Sequence, residues 1–420
     1  MKKNYLIVAL ILLTFFVVSF MTNILGALNP NISSSYTLTD TMAGLLPFAF
    51  FIAYGIMSIP SGLLVEVWGE KKMMILAFFF AFAGALLFAV FPKFNIFVIS
   101  LFTIGAGMAA LQVVINPLLR VSGGEEHFAF NSVLAQLVFG LASFISPQMY
   151  TYLVTNIDTG NTQKPLIGMM SSLVPDQLSW VSVYWVFAFL SILMIIEVIL
   201  VKFPSVELQE DEKAGSKASY LELFKNKYVI LYFLGIFCYV GSEQGISYWM
   251  SKFLSNYHGI DPDTTGANAV SYFWGLMTIG GVLGLILMKL FDSKYILRWF
   301  TILAMICVAA GLFSGGEVAL WAFPISGFFL SVMYPVIVSL GLNSVAKHHG
   351  SFAGILMTGI AGGAVVQILI GGISDLISLK IGMLFIFVTL GYILSISFWA
   401  KPLVKNKTIN SIKDIFKSES

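Results

Sequence analysis

The chain has 420 residues, of which 58% are hydrophobic and only 10% are charged, and its mean hydropathy is +0.90. A soluble domain carries about 25% charged residues, so a soluble globular protein of this size is excluded. The net charge of +2 gives no basis for a nucleic-acid partner. Its two cysteines and four histidines lack the spacing of a disulfide framework or metal site, so we expect no metal and no cofactor.

Twelve stretches are apolar over about 20 residues, the length that a helix needs to cross a bilayer. The first follows Met1-Lys2-Lys3 without a signal-peptide cleavage site, so we interpret it as a membrane helix. The first six predicted helices are Tyr5–Leu28, Ala43–Val67, Met73–Phe91, Asn95–Leu118, Phe130–Val154 and Val181–Val201. The second six are Val229–Phe253, Ala267–Leu290, Tyr295–Phe313, Val318–Leu342, Ser351–Ile377 and Ile381–Trp399.

The positions of lysine and arginine predict how these helices are oriented. With the N-terminus in the cytoplasm, 19 basic residues fall inside and four outside, namely Lys93, Lys164, Lys252 and Lys380. Both termini are then cytoplasmic. The long inner connection splits the chain six plus six, into an N-terminal half (1–203), a cytoplasmic linker (204–227), a C-terminal half (228–402) and a cytoplasmic tail (403–420). The outer loop 155–180 has no assigned role.

Two matches between the halves indicate a duplication. Residues 54–60 (YGIMSIP) in the second helix correspond to 274–280 (WGLMTIG) in the eighth. Asn116-Pro117 in the fourth helix corresponds to Tyr334-Pro335 in the tenth, at nearly the same separation along the chain. Parallel six-helix repeats are the plan of the major facilitator superfamily.

Polar residues inside membrane helices are candidates for function, because an unpaired polar group in hydrocarbon is costly. Glu243 lies 14 residues into the seventh predicted helix. It is either a cavity carboxylate that binds substrate or titrates, or a structural carboxylate between helices. Amides in the helices suit a neutral, hydroxyl-rich ligand, or else hydrogen-bond helix to helix. They are Asn23, Gln112, Asn116, Asn131, Gln136, Gln244 and Gln367.

The connection between the second and third helices (62–72) resembles the facilitator signature of glycines followed by an acidic and basic residues. We interpret Glu66, Lys71 and Lys72 as an inner gate, with a generic positive-inside loop as the alternative. Neither a P-loop, a nucleophile elbow nor an HExxH helix occurs in the sequence, so we expect no enzyme.

Five segments resemble one family, the fucose–proton symporters of the major facilitator superfamily. These segments are 107–117 (GMAALQVVINP), 134–136 (LAQ), 239–243 (YVGSE), 333–341 (MYPVIVSLG) and 359–363 (GIAGG). The resemblance implies an all-helical, multi-pass monosaccharide permease of a bacterial inner membrane, with Gln136 and Tyr334 as sugar ligands.

The sequence departs from this family at two positions. Its first-helix carboxylate is Asn23 here and its fourth-helix glutamate is Gln112. An amide cannot take up a proton near neutral pH. Either Glu243 therefore couples transport to a proton or sodium ion, or the protein is a uniporter.

We therefore expect a monomeric carrier of a hexose, deoxyhexose or amino sugar that works by alternating access in the lipid bilayer. The alternatives are a facilitator that exports drugs or other metabolites and a membrane sensor or enzyme. The predicted substrate-binding residues are Gln136, Tyr334, Gln112, Asn116, Glu243, Gln244, Asn23 and Trp274.

Overall fold

The computed structural model of this chain describes residues 5–124, 127–161, 164–204, 217–345 and 347–403. Within these ranges, twelve helices are long and apolar enough to cross a membrane, which confirms the predicted fold class. In chain order, α1 to α12 are Tyr5–Ser35, Asp40–Trp68, Glu70–Val90, Phe94–Gly123, Phe130–Asp158, Ser179–Leu200, Lys227–His258, Pro262–Leu290, Ser293–Phe313, Gly316–Leu342, Gly350–Leu376 and Leu379–Trp399.

Local signals set several helix ends. The Thr39 hydroxyl accepts a hydrogen bond from the Met42 backbone N–H (3.2 Å) at the start of α2. Asp292 caps α9 in the same way, through the Lys294 N–H (2.8 Å). The last helical residue of α7 is followed by Gly259, whose φ of +64° is the left-handed conformation that ends many helices.

Three of the spans are interrupted in mid-membrane. The helix in α1 breaks between Thr22 and Leu25, and the helix in α10 breaks between Leu330 and Met333. In α11 a 3₁₀ turn, Gly359–Ala361, separates two helical segments. Irregular backbone at membrane depth is tolerated where it lines a cavity, so these breaks indicate a cavity at their level.

The connections outside the membrane spans carry some helix of their own. The outer loop 155–180 contains the helix Pro165–Leu173, which buries Ile167 and Met170. The predicted linker ends in a second short helix, Lys217–Phe224. Linker residues 205–216 and tail residues 404–420 lie outside the described part of the chain.

The N-terminal half (α1–α6) and C-terminal half (α7–α12) pack mainly through two helix pairs. Helix α2 lies along α11, and α5 lies along α8. Where backbones cross, only glycine fits: a Cβ on Gly26 of α1 would lie 2.1 Å from the Ser247 carbonyl oxygen of α7. A Cβ on Gly371 of α11 would lie 2.3 Å from the Asp40 carbonyl oxygen of α2. The halves therefore touch backbone to backbone near one end of the bundle.

We call this end, defined by Asp40, Lys252, Asp263 and Asp375, the closed face. The Lys252 ammonium of α7 forms an ion pair with Asp40 of α2 (2.6 Å) and donates to the Ser33 hydroxyl (2.9 Å). Asp375 at the end of α11 accepts hydrogen bonds from the backbone N–H groups of Asp40 and Thr41 (2.7 and 2.9 Å). Two C-terminal-half residues thus hold the start of α2.

A second cluster crosses the closed face on its other side. Asp263, at the start of α8, accepts from the Asn31 amide of α1 (2.7 Å) and the Tyr150 hydroxyl of α5 (2.5 Å). The Tyr248 hydroxyl of α7 donates to the Ala43 carbonyl oxygen of α2 (2.6 Å). All of these bonds join one half to the other, so the closed face is shut.

Candidate functional site

A cavity of about 840 Å³ lies between the two halves. Its wall continues as far as Ser132, Met288 and Asn343, each close to a helix end opposite the closed face. We call that end, which also carries the connection between the halves, the open face. The volume is within the range of about 300–1,000 Å³ typical of small-molecule sites.

All eight residues predicted to bind substrate line this cavity. They come from both halves, which shows how residues far apart in the sequence meet in one place. Their role as ligands stays a prediction. The N-terminal half contributes Asn23, Gln112, Asn116 and Gln136, and the C-terminal half contributes Glu243, Gln244, Trp274 and Tyr334.

Glu243 is the one carboxylate among the residues that line the cavity in the described structure. The Tyr239 hydroxyl, one helical turn earlier on α7, donates a hydrogen bond to its Oε1 (3.0 Å). The Tyr239 ring packs against Tyr334 of α10, with centroids 5.7 Å apart, and the Tyr334 hydroxyl contacts the Met357 sulfur (3.2 Å). Carboxylate and rings form one connected group on the C-terminal wall.

Asn23 sits at the break in α1 and takes part in a network with α5. Its amide nitrogen donates to the Ser143 hydroxyl (2.8 Å) and, more weakly, to the Ser19 hydroxyl (3.4 Å). The two serine hydroxyls are 2.5 Å apart, and Ser19 also reaches the Phe139 carbonyl oxygen (2.5 Å). The amide therefore ties the break in α1 to the neighbouring helix.

The other amides of the N-terminal wall are more open to the cavity. Gln112 and Asn116 lie four residues apart on α4 and so share one helix face. Asn116 and Gln136 are exposed, which leaves their amide groups accessible to a ligand. Two predicted polar residues lie elsewhere: Asn131 is buried beside Gly123, and Gln367 is buried in the seam between α11 and α2.

The predicted inner gate lies at the open face, and its contacts differ from those of the closed face. The Lys71 ammonium donates to the carbonyl oxygens of Ile199 and Val201, both at 2.8 Å, at the end of α6. These contacts stay within the N-terminal half. Lys72 is exposed, and Glu66 lies in the last turn of α2. The gating role of all three residues stays a prediction.

Several cavity residues were not among the predicted ligands. Tyr54, Met277 and Thr278 line the wall, although the duplicated segments 54–60 and 274–280 marked them in the sequence. The duplication could have placed them, because two repeats related by an axis between the halves put equivalent residues at equivalent positions around the shared site. The sequence predicts Lys252 only as a basic residue on the outer side. Its ion pair with Asp40 could not be predicted, because the two residues are far apart in the sequence.

In the ranges that the structure covers, no group of three or more His, Cys, Asp or Glu side chains could hold a metal ion. The polar chemistry available in the cavity is therefore that of amides, hydroxyls, one indole and one carboxylate. Such a set can hydrogen-bond a neutral polar ligand and stack rings on its apolar faces.

The sequence is similar to several curated bacterial carriers. It is 30% identical over 398 residues to a glucose/galactose transporter of Brucella abortus, covering 93% of each chain. It is 29% identical over 396 residues to the L-fucose-proton symporter of Escherichia coli, covering 89% of this chain and 88% of that one.

Solved structures share the fold. The transporter FucP in its outward conformation aligns with a TM-score of 0.67 at 24% identity, covering 94% of this chain and 98% of that one. An inward-facing bacterial homologue of the lysosomal transporter Spinster aligns with a TM-score of 0.79 at 14% identity, covering 95% and 98%. The Major Facilitator Superfamily family model matches residues 11–367. The chain belongs to the Major Facilitator Superfamily, as a relative of the fucose–proton symporters, and the predicted family is confirmed.

Proposed function

We propose that this chain is a monosaccharide transporter of a bacterial inner membrane that works by alternating access. The observation that carries the proposal is the cavity between the halves, whose wall combines amides, hydroxyls and aromatic rings. These groups match a sugar, which presents hydroxyls at its edge and C–H groups on its faces. Bacterial relatives named for glucose, galactose and L-fucose transport support a hexose or deoxyhexose as substrate.

The orientation follows from the charge pattern. Basic residues favour the cytoplasmic side, and most of them belong to the connections at the open face. The open face is then cytoplasmic and the closed face periplasmic, so the structure represents an inward-facing state. Glu66, Lys71 and Lys72 lie on the cytoplasmic side, where they would gate the cavity once the halves close over it. The cavity is complete in one chain, which supports a functional monomer.

Coupling is assigned to Glu243. It is the carboxylate of the cavity wall, held by the Tyr239 hydroxyl. The family resemblance of the sequence aligns Asn23 and Gln112 with two carboxylates of the fucose–proton symporters. An amide cannot exchange a proton near neutral pH. A cation that accompanies the sugar would therefore meet its negative charge at Glu243.

The test is uptake by proteoliposomes that contain the purified protein. We expect saturable uptake of radiolabelled glucose, galactose or L-fucose, inhibited by an excess of the same unlabelled sugar. A proton gradient and a sodium gradient are applied separately to identify the coupling ion. Uptake of none of these sugars, or no inhibition by excess sugar, would contradict the proposed function and favour a carrier of other metabolites.

A further inference from the structure

The duplicated segments place two aromatic residues at equivalent positions in the two halves. Tyr54 of α2 and Trp274 of α8 open the matching segments 54–60 and 274–280. Both residues line the cavity, Tyr54 from the N-terminal half and Trp274 from the C-terminal half. Each ring is a large apolar surface that ends in one hydrogen-bonding atom, the tyrosine hydroxyl or the indole Nε1.

Both polar atoms are buried without a hydrogen-bond partner. The side chains are 2% and 4% exposed, and neither the Tyr54 hydroxyl nor the Trp274 Nε1 reaches a partner. Thr22 is close enough to influence the Tyr54 hydroxyl, but its own hydroxyl donates to the Val18 carbonyl oxygen (2.7 Å) and the pair does not reach hydrogen-bond geometry. An unmet buried donor is unfavourable, so its presence calls for a reason.

The Tyr54 hydroxyl and the Trp274 Nε1 differ in position from the other buried polar atoms that lack a hydrogen-bond partner. Elsewhere in the described structure, side chains with buried, unpaired polar atoms, such as Tyr184 and Trp249, are not part of the cavity wall. Tyr54 and Trp274 are the two that border the space where a ligand can enter.

Neighbouring rings pack against both aromatic side chains and limit their rotation. Phe50 and Phe51 pack against Tyr54 with centroids 5.9 and 6.2 Å away. Phe273 meets Trp274 edge to face at 5.2 Å. Rings held on their apolar sides cannot easily turn their polar tips toward protein acceptors, so each buried tip stays unpaired at the cavity wall, where a ligand that displaces the covering side chains would supply the missing hydrogen bond.

We propose that the Tyr54 hydroxyl and the Trp274 indole N–H each form a hydrogen bond with a hydroxyl group of the substrate, one from each half. The inference rests on the proposed function and deepens it, because it names two atoms that would read the substrate's hydroxyl pattern. The indole can only donate, so the substrate oxygen at Trp274 is an acceptor; the tyrosine hydroxyl can donate or accept. A substrate held from both halves also links its binding to their relative movement.

The experiment measures equilibrium binding of a transported hexose and its monodeoxy analogues to the purified full-length protein. Tyr54→Phe removes one oxygen atom, and we expect the Kd for the parent sugar to rise about tenfold. The parent protein and Tyr54→Phe should bind one monodeoxy analogue with the same Kd. That analogue lacks the sugar hydroxyl that Tyr54 contacts, so removing the tyrosine oxygen costs nothing further. Trp274→Phe should show the same pattern with a different deoxy position.

Tyr184→Phe is the matched control. Its hydroxyl is also buried and unpaired, but Tyr184 packs with Phe88 and Phe97 away from the cavity. We expect its Kd to equal that of the parent. An unchanged Kd in Tyr54→Phe, or an equal loss for every deoxy analogue, would overturn this inference while leaving sugar transport intact. Failure of the parent protein to bind any hexose or deoxyhexose would overturn the proposed function, and this inference with it.

Discussion

At the scale of single residues, the cavity separates two kinds of polar side chain. The Asn23 amide nitrogen is already engaged, since it donates to the Ser143 hydroxyl and, more weakly, to the Ser19 hydroxyl. Gln136 and Asn116 face the cavity and are exposed. The first kind shapes the break in α1, and the second kind is free to meet a ligand. The sequence predicted that these amides share a polar cavity, but only the packed helices show which of them are already engaged.

Replacing Glu243 by glutamine tests the coupling role directly. The amide keeps the size of the side chain and its acceptor for the Tyr239 hydroxyl, but it cannot carry the charge that compensates a cation. We expect Glu243→Gln to lose accumulation of sugar against its gradient while keeping exchange between equal concentrations. Proteoliposome uptake with and without an ion gradient measures both. Accumulation equal to that of the parent protein would exclude Glu243 from coupling.

Gln367 gives a prediction about stability. Its side chain is 0% exposed, and both its amide nitrogen and its oxygen lack hydrogen-bond partners in the seam between α11 and α2. Methionine has a similar shape without these polar atoms, so Gln367→Met should stabilise this state by about 1–3 kcal/mol. A higher melting temperature in detergent would show it. Gln367→Glu, which adds a charge at the same place, should lower the melting temperature.

At the scale of helices, sequence patterns were most reliable where hydrophobicity alone decides the outcome. All twelve spans were predicted, because a membrane helix must satisfy its own backbone. Their ends were less accurate: α1 continues past the predicted Leu28 to Ser35, since its last turns pack against α7 and α8. The breaks near Asn23 and Ser331 depend on neighbouring helices and left no clear signal in the sequence.

The ion pair at the closed face is a helix-to-helix contact whose strength can be measured. Asp40 and Lys252 are largely buried, with side chains 17% and 11% exposed. Removing one partner leaves an uncompensated charge, whereas removing both does not. We expect Asp40→Asn and Lys252→Met each to destabilise the closed face by about 1–3 kcal/mol, and the double variant to recover part of that loss.

The measurement uses Gln367→Cys, beneath the closed face, in a background in which Cys238 and Cys307 are replaced by serine. Its alkylation by a membrane-impermeant maleimide added on the side of the closed face reports how often that face opens. A loss of 1.4 kcal/mol corresponds to about a tenfold faster reaction. If the single variants were alkylated at the parent rate, the pair would not hold the face shut. The same would follow if the effects of the two single variants on the free energy of opening simply added in the double variant.

At the scale of the whole molecule, two halves share one cavity and, in the described residues, meet backbone to backbone at the closed face. The close approach of Gly26 to the Ser247 carbonyl oxygen belongs to that joined end, where a Cβ would lie 2.1 Å from the oxygen. The added atom would be a Cβ, and its neighbour is a backbone carbonyl oxygen. Neither is the end of a flexible side chain, so the clash cannot be relieved by a side-chain rotation. Gly26→Ala should therefore favour the state in which the closed face opens.

This variant separates movement from coupling. We expect Gly26→Ala to speed alkylation of the cysteine at position 367 and to lower both net uptake and exchange, because every transport cycle requires this face to close. Glu243→Gln, in contrast, should spare exchange. Gly391→Ala is the matched control, since a Cβ at Gly391 of α12 meets no atom within 4 Å. If Gly26→Ala kept full exchange and an unreactive cysteine, the backbone crossing would not limit closure, and the ion pair and the other hydrogen bonds of the closed face would account for holding it shut.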